Sequence, residues 1–431
     1  MNINGGGRNL YITNRASGIF RFNVLNGAAT SAIYLSNGAS PTISASNTVQ
    51  NTPAAYELAN QLLLPNVVSP LLGSGGTNVI DPYTLRITGT LPASRPNYIM
   101  NPDPLGLGIS VYQIIGNLNV ASGARLIINA GTVIKSAANS LIVNSGGTLD
   151  IYGSLFQPVI FTSIKDDTVA GDTNGDGLLT SPASREGVSL NYQAGSLGSI
   201  SFFDMKYSDG FTVSSAIPMN DVSRFKGGFG MKFSGTMNQT VSNLHIDHDG
   251  IGGDTALYIS GIGTNPIFTG NNTVDKYSGI HDGVIIQTGA SPTFQNFTID
   301  LHGANQPALA IYDAATVVTV KNNTIQNADK AVLIANGASP IINNNIIRNS
   351  NTGVYLAIWF RPVTGQAGNV TITNNKIVGN NTGIYVHNTT SAIIEHNLIR
   401  TNANIGVAID ALQTLPVTLQ NNLIVQNGTD L

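Results

Sequence analysis

The sequence predicts an all-β solenoid, a parallel β-helix, on three observations. First, asparagine-led phrases recur through the second half of the chain: NLHI from Asn243, NNTV from Asn271, NFTI from Asn296, NNTI from Asn322, NNII from Asn344, NNKI from Asn374, HNLI from His396 and NNLI from Asn421. They are separated by 28, 25, 26, 22, 30, 22 and 25 residues, a period that belongs to stacked repeats. Second, the segments between them, such as GVYLA (353–357), GIYVH (383–387) and GVAID (406–410), alternate apolar and polar residues over four to six positions, the pattern of strands and not of helices. Third, two or three such strands fill one period, and a coil that small can bury its inward side chains only against the coils above and below it.

The asparagines themselves have a physical role in this scheme. Asn tolerates left-handed turn conformations, and its amide can donate to one coil while accepting from the next, so stacked Asn side chains form a hydrogen-bonded ladder. Asn272, Asn323, Asn345, Asn375, Asn397 and Asn422 hold the second position of the phrase. This column is expected inside the turns; the alternative is a row of sugar-binding amides on an outer face.

In chain order, residues 1–50 read as coils, through NLYIT, GIFRFNVLNGA and SAIYLSNGASPTIS. The GASP of 38–41 returns at 289–292 and 337–340. Residues 51–66 change character: Thr52 as N-cap, Pro53 at the first helical position and apolar residues at helical spacing up to Pro65 predict a short amphipathic helix. The rest of 51–109 is a Pro/Gly-rich connector with one strand, YTLRITG at 83–89. The main β-helix is expected over 110–431, interrupted by an acidic loop at 166–186. The chain opens in mid-phrase and stops at NNLIVQNGTDL, which leads us to expect either that copies of it stack head to tail through their coil ends or that it is a piece of a longer array.

From about residue 110 a second set of coils begins, in which Gly123 and Gly146 open the matching phrases GARLII and GGTLDI. A GTVIK strand, a PVIFTS strand and a DTNGDG loop then follow one another. Residues 110–183 thereby resemble the opening coils of right-handed β-helix domains in large bacterial surface and secreted proteins, and the later repeats fit the same group. The resemblance implies a right-handed parallel β-helix at the cell surface or outside the cell; it implies no activity.

Composition narrows the partners. Charged residues make up 10% and the net charge is −3, so no basic stripe for nucleic acid is present. The absence of cysteine means no disulfide stabilises the chain. No run of eighteen apolar residues occurs, so no membrane span is expected.

Three places could carry chemistry. In DDTVAGDTNGDGLLTSPA (166–183), Asp172, Asn174 and Asp176 alternate before Gly177, the order that wraps a loop around Ca²⁺, with the Leu178 carbonyl and Thr180 next. The twelfth position is Ala183, where an EF-hand has Glu, and Asp166, Asp167 or Glu186 is the expected substitute. The alternative is a solvated acidic turn. In HIDHDGIGGD (245–254), His248, Asp249 and Asp247 are the expected catalytic set if the chain is a polysaccharide lyase, hydrolase or epimerase; the second HDG, at 281–283, occupies a column where other coils have NTG, which reads as turn chemistry. Trp359, Phe360 and Arg361 fall in the longest repeat step and could contact a sugar or a neighbouring subunit. The expectation is a non-enzymatic extracellular structural protein, a filament subunit or repeat module stiffened by calcium. A carbohydrate-binding adhesin or phage-type fibre, taking cell-surface or extracellular polysaccharide, is the alternative.

Overall fold

The computed structural model describes all residues except 1, 22, 44–46, 51, 53, 55, 63–65, 68–70, 74–83, 96, 103–110, 228–229, 249–254, 277–281, 358–367, 388–390 and 411–414. Among the described residues the regular structure is strand throughout, and the strands pair in parallel, each with its counterpart one coil away. None of these residues forms a helix long and apolar enough to cross a membrane. The chain divides into two units, residues 1–209 and 210–431.

In the second unit, coil-to-coil pairing stacks like on like. Ile246, Val274, Ile299, Ile325, Ile347, Ile377, Ile399 and Ile424 form one column, each in register with the next. Strand neighbours lie about 4.8 Å apart, so β-branched side chains in one column pack on each other without a gap. On a second strand, Phe268 meets Phe233 and Phe294 edge to face at 6.0 and 5.8 Å, and Phe294 stacks on Phe297 at 4.0 Å. Nearly all these inward side chains are fully buried.

The turns contain the asparagine ladder, and the two positions of each phrase divide its work. The first position is left-handed at Asn243, Asn296, Asn322, Asn344, Asn374, His396 and Asn421, with φ between 51° and 59°, a conformation Asn adopts at little cost. The second position points inward. Asn323 donates its backbone N–H and its side-chain amide to Asn345 Oδ1, both at 2.9 Å; Asn375 does the same to Asn397, and Asn397 to Asn422, at 2.9–3.0 Å. Asn272 continues the column by accepting from Leu244 N at 3.0 Å. A second ladder runs through Asn380, Asn402 and Asn427, five residues after the first. Asp430 ends it, its Oδ1 accepting from Asn427 N and Nδ2 as another asparagine would.

In the first unit, Ser31–Ser36, Tyr56–Ala59, Thr84–Leu91, Val111–Val120, Val133–Ser136 and Val159–Ser163 make one continuous parallel ladder. The segment expected to be a helix therefore contains a strand. Tyr56–Ala59 is paired on both edges, to Ile33–Ser36 and to Leu85–Thr88. Tyr56 and Leu58 face inward, and Glu57, 2% exposed, faces the outer side. Its carboxylate is covered by Arg8, whose Nε donates to Oε2 at 3.0 Å, and by the Ser31 hydroxyl, also at 3.0 Å. Helical spacing in AAYELANQLL loses here because Tyr56–Ala59 pairs with a strand on each edge, whereas a helix this short has little stability of its own. The strand expected at 83–89 within the connector is present as Thr84–Leu91, and it is a rung of the stack.

Candidate functional site

The acidic segment leaves the stack after Val159–Ser163 and returns at Ser189–Tyr192, and its construction explains an unexpected burial. Along Val133–Ser136 and Val159–Ser163, Ile134 and Phe161 face the core, so their neighbours Lys135 and Thr162 lie in the outward column. Both are nonetheless 0% exposed, because the excursion folds back over them. Lys135 Nζ donates to the carbonyls of Asp166 and Gly171 at 2.9 Å each, and Thr162 Oγ1 donates to Asp166 Oδ2 at 2.6 Å. At the far end, Lys165 bonds Glu186 at 2.7 Å, and Glu186 accepts from Ala183 N at 2.8 Å. A buried ammonium at one end and an ion pair at the other clamp a loop without regular structure.

The expected metal residues separate into three roles. Asp166 anchors: buried, it accepts from Thr162 and from Thr168. Asp172 shapes the backbone, Oδ1 accepting from Gly175 N and Oδ2 from Gly177 N, at 2.7 Å each. Burial works against its charge, but those N–H groups outweigh it and hold the carboxyl below the usual carboxylate range. The third role falls to Asp167, Asn174 and Asp176, each of which has a buried Oδ1 with no hydrogen-bond partner among the described residues. Burial, followed by the charges of Asp172 and Asp176, raises Asp167, while Lys135 opposes the rise. Thr180 buttresses this set, donating to Asp176 Oδ2 and accepting from Asn174 Nδ2. The Leu178 side chain is exposed. Three His, Cys, Asp or Glu side chains in metal-holding geometry are not found together among the described residues; the oxygens here come from two carboxylates and one amide.

With coils, ladders and excursion in view, the family can be stated. The family model described as the right-handed beta helix region matches residues 202–361 and 282–430, together more than half of the chain. The chain belongs to the right-handed β-helix family. No curated protein and no solved structure matches it.

Elsewhere in this β-helix, two members of the expected catalytic set, His248 and Asp247, lie on opposite faces of their strand. Alternation along His245–His248 turns Ile246 and His248 inward and Asp247 outward. His248 is 0% exposed and in register with the equally buried Lys276, so it shares no face with Asp247. Asp249 lies outside the described residues, as do Trp359, Phe360 and Arg361. What the stack does align, and the sequence reading missed, is an outward column of carboxylates, Asp247, Asp275 and Asp300, on successive coils. His302 reaches Asp275 at 3.4 Å and Asp300 at 3.7 Å. Burial, together with the charges of Asp300 and Asp247, outweighs His302 and raises Asp275. Asp300 is also penalised by burial, yet bonds from Asn327, His302 N and Gln326 hold it low. The signal was available: the three acids sit at matching places in HID, TVD and TID.

Proposed function

We propose that this β-helix is an extracellular structural protein whose outer face is stiffened by a calcium ion in the 166–186 excursion. The observation carrying the reading is the trio of buried, unpartnered oxygens on Asp167, Asn174 and Asp176. A buried acceptor left unmade costs about 1–3 kcal/mol, more when charged, and hard oxygen donors on a glycine-bearing loop, two of them at alternate positions, suit Ca²⁺. Asp167, Asn174 and Asp176 would hold the ion, with Asp172 and Asp166 keeping the loop in shape. Bound calcium would supply the positive charge that offsets the mutual repulsion of the acids. With so few carboxylates, affinity falls in the range of extracellular modules, Kd of about 10⁻⁴–10⁻³ M, which fits a protein working outside the cell.

Copies of the chain are the partner class this reading favours, since a parallel strand edge pairs best with an edge of the same pitch. Thermal unfolding in calcium and in chelator tests the stiffening. At calcium tenfold above Kd, linkage gives about 1.4 kcal/mol of added stability, read as a higher midpoint that Asp176→Asn abolishes. Identical midpoints in calcium and chelator would refute it.

A further inference from the structure

Three turns stack at one corner of the first unit, with left-handed residues at Asn14 and Arg15, Asn37 and Asn60. With the turn that follows Pro92 they enclose a cleft of about 420 Å³, within the range of small-molecule sites. Its floor is fixed: Gln61, buried, accepts from Gly38 N at 2.6 Å and donates to the Ala39 carbonyl at 3.1 Å. Tyr98 closes one wall with its hydroxyl proton committed to the Pro92 carbonyl at 2.7 Å, leaving its oxygen able to accept.

The chemistry of the lining is one-sided. Arg15 and Arg95 both border the cleft, and among the described residues no carboxylate does. Neither guanidinium makes an ion pair among the described residues, in a chain that carries only 20 Lys and Arg and a net charge of −3. Asn60 spends its Oδ1 on Thr90 N at 2.8 Å, and its Nδ2 has no protein partner among the described residues. Gly38 leaves room for the Arg15 stem: a Cβ there would come within 3.3 Å of Arg15 Cγ. Two cations and an amide donor, set beside hydroxyl oxygens, suit a ligand with one oxyanion and several hydroxyls.

We propose that this cleft binds an acidic saccharide, with its carboxylate between Arg15 and Arg95 and its hydroxyls toward Asn60 and Tyr98. The site is independent of the calcium excursion.

The test is titration of the full chain with glucuronic acid and with glucose, followed by ligand-observed NMR, and displacement of bound glucuronate by inorganic sulfate. The expected result is saturable glucuronate binding that weakens at least tenfold in Arg15→Gln and in Arg95→Gln and weakens as salt rises, with no binding of glucose. Both variants change exposed side chains, and an unchanged urea midpoint shows that they remain folded. Glucuronate affinity unaltered in both folded variants, or no glucuronate binding at all, would overturn the site. Sulfate binding as tight as glucuronate would overturn the saccharide assignment.

Discussion

Asn345 donates both its backbone N–H and its side-chain amide to a single oxygen, Asn375 Oδ1, at 2.9 Å each. These residues are 30 positions apart, whereas Asn323 and Asn345 are 22 apart and bond in the same way. Coil length varies and the ladder does not, so the asparagines, not the loops, set the register of the stack.

Removing a ladder member should therefore cost more than one hydrogen bond. Asn375→Ala takes the acceptor from Asn345 N–H, one of three acceptors from Asn345 Nδ2, and a donor from each of the carbonyls of Ile342 and Thr373. At about 1–3 kcal/mol for the orphaned N–H and about 0.5–1.5 kcal/mol for each further bond lost, we expect a loss of about 3 kcal/mol, measured as a lower urea midpoint. Asn374→Gly, next door, replaces only the left-handed residue at φ 58° and should shift stability by less than about 1 kcal/mol. Equal effects of the two substitutions would contradict the division of roles.

Lys135→Met keeps the stem and deletes the ammonium. The carbonyls of Asp166 and Gly171 then lose this donor beneath the excursion, and a hydrogen bond to a charged group is worth about 1.5–3 kcal/mol. The expected outcome is faster limited proteolysis within 166–186 while the coils persist by circular dichroism. Unchanged cleavage would show that the clamp lies elsewhere.

On the outer column, Asp275 and Asp300 should titrate in opposite directions from an ordinary Asp near pH 3.9. Asp300 is depressed, so its contribution to stability is present above the unfolded value and is lost as pH falls through its lower folded value. Asp275 is raised, so it opposes folding as pH climbs from the unfolded value through its higher folded one, and above that the penalty is constant. Carboxyl-detected NMR should find Asp275 protonating first on acidification. The reverse order would contradict the burial argument.

If copies stack through their edges, sedimentation velocity in calcium-containing buffer should show species larger than one chain, growing with concentration. A single monomer boundary across the concentration range would remove that part of the proposal.

The sequence disclosed the parts of this molecule that repeat. The phrase beginning at Asn322 and its successors gave both the strand order and the inward column, because one side chain does the same task in every coil. The Asn380–Asn402–Asn427 ladder escaped notice since its surroundings, GNNTG, TNANIG and QNGTD, share little besides the asparagine. Tyr56–Ala59 was misread because its pairing partners are distant in sequence and local spacing is helical. Lys135 could not be found at all by alternation, which places it on the outer face; only the later excursion buries it. His248 was the opposite case, since counting two residues from Ile246 already turns it inward.

The most direct measurement is a calorimetric titration of calcium into the purified chain and into Asp176→Asn. The account predicts one saturable site with Kd of about 10⁻⁴–10⁻³ M in the parent protein and none in the variant. No saturable heat in the parent, or the same heat in both, would contradict it.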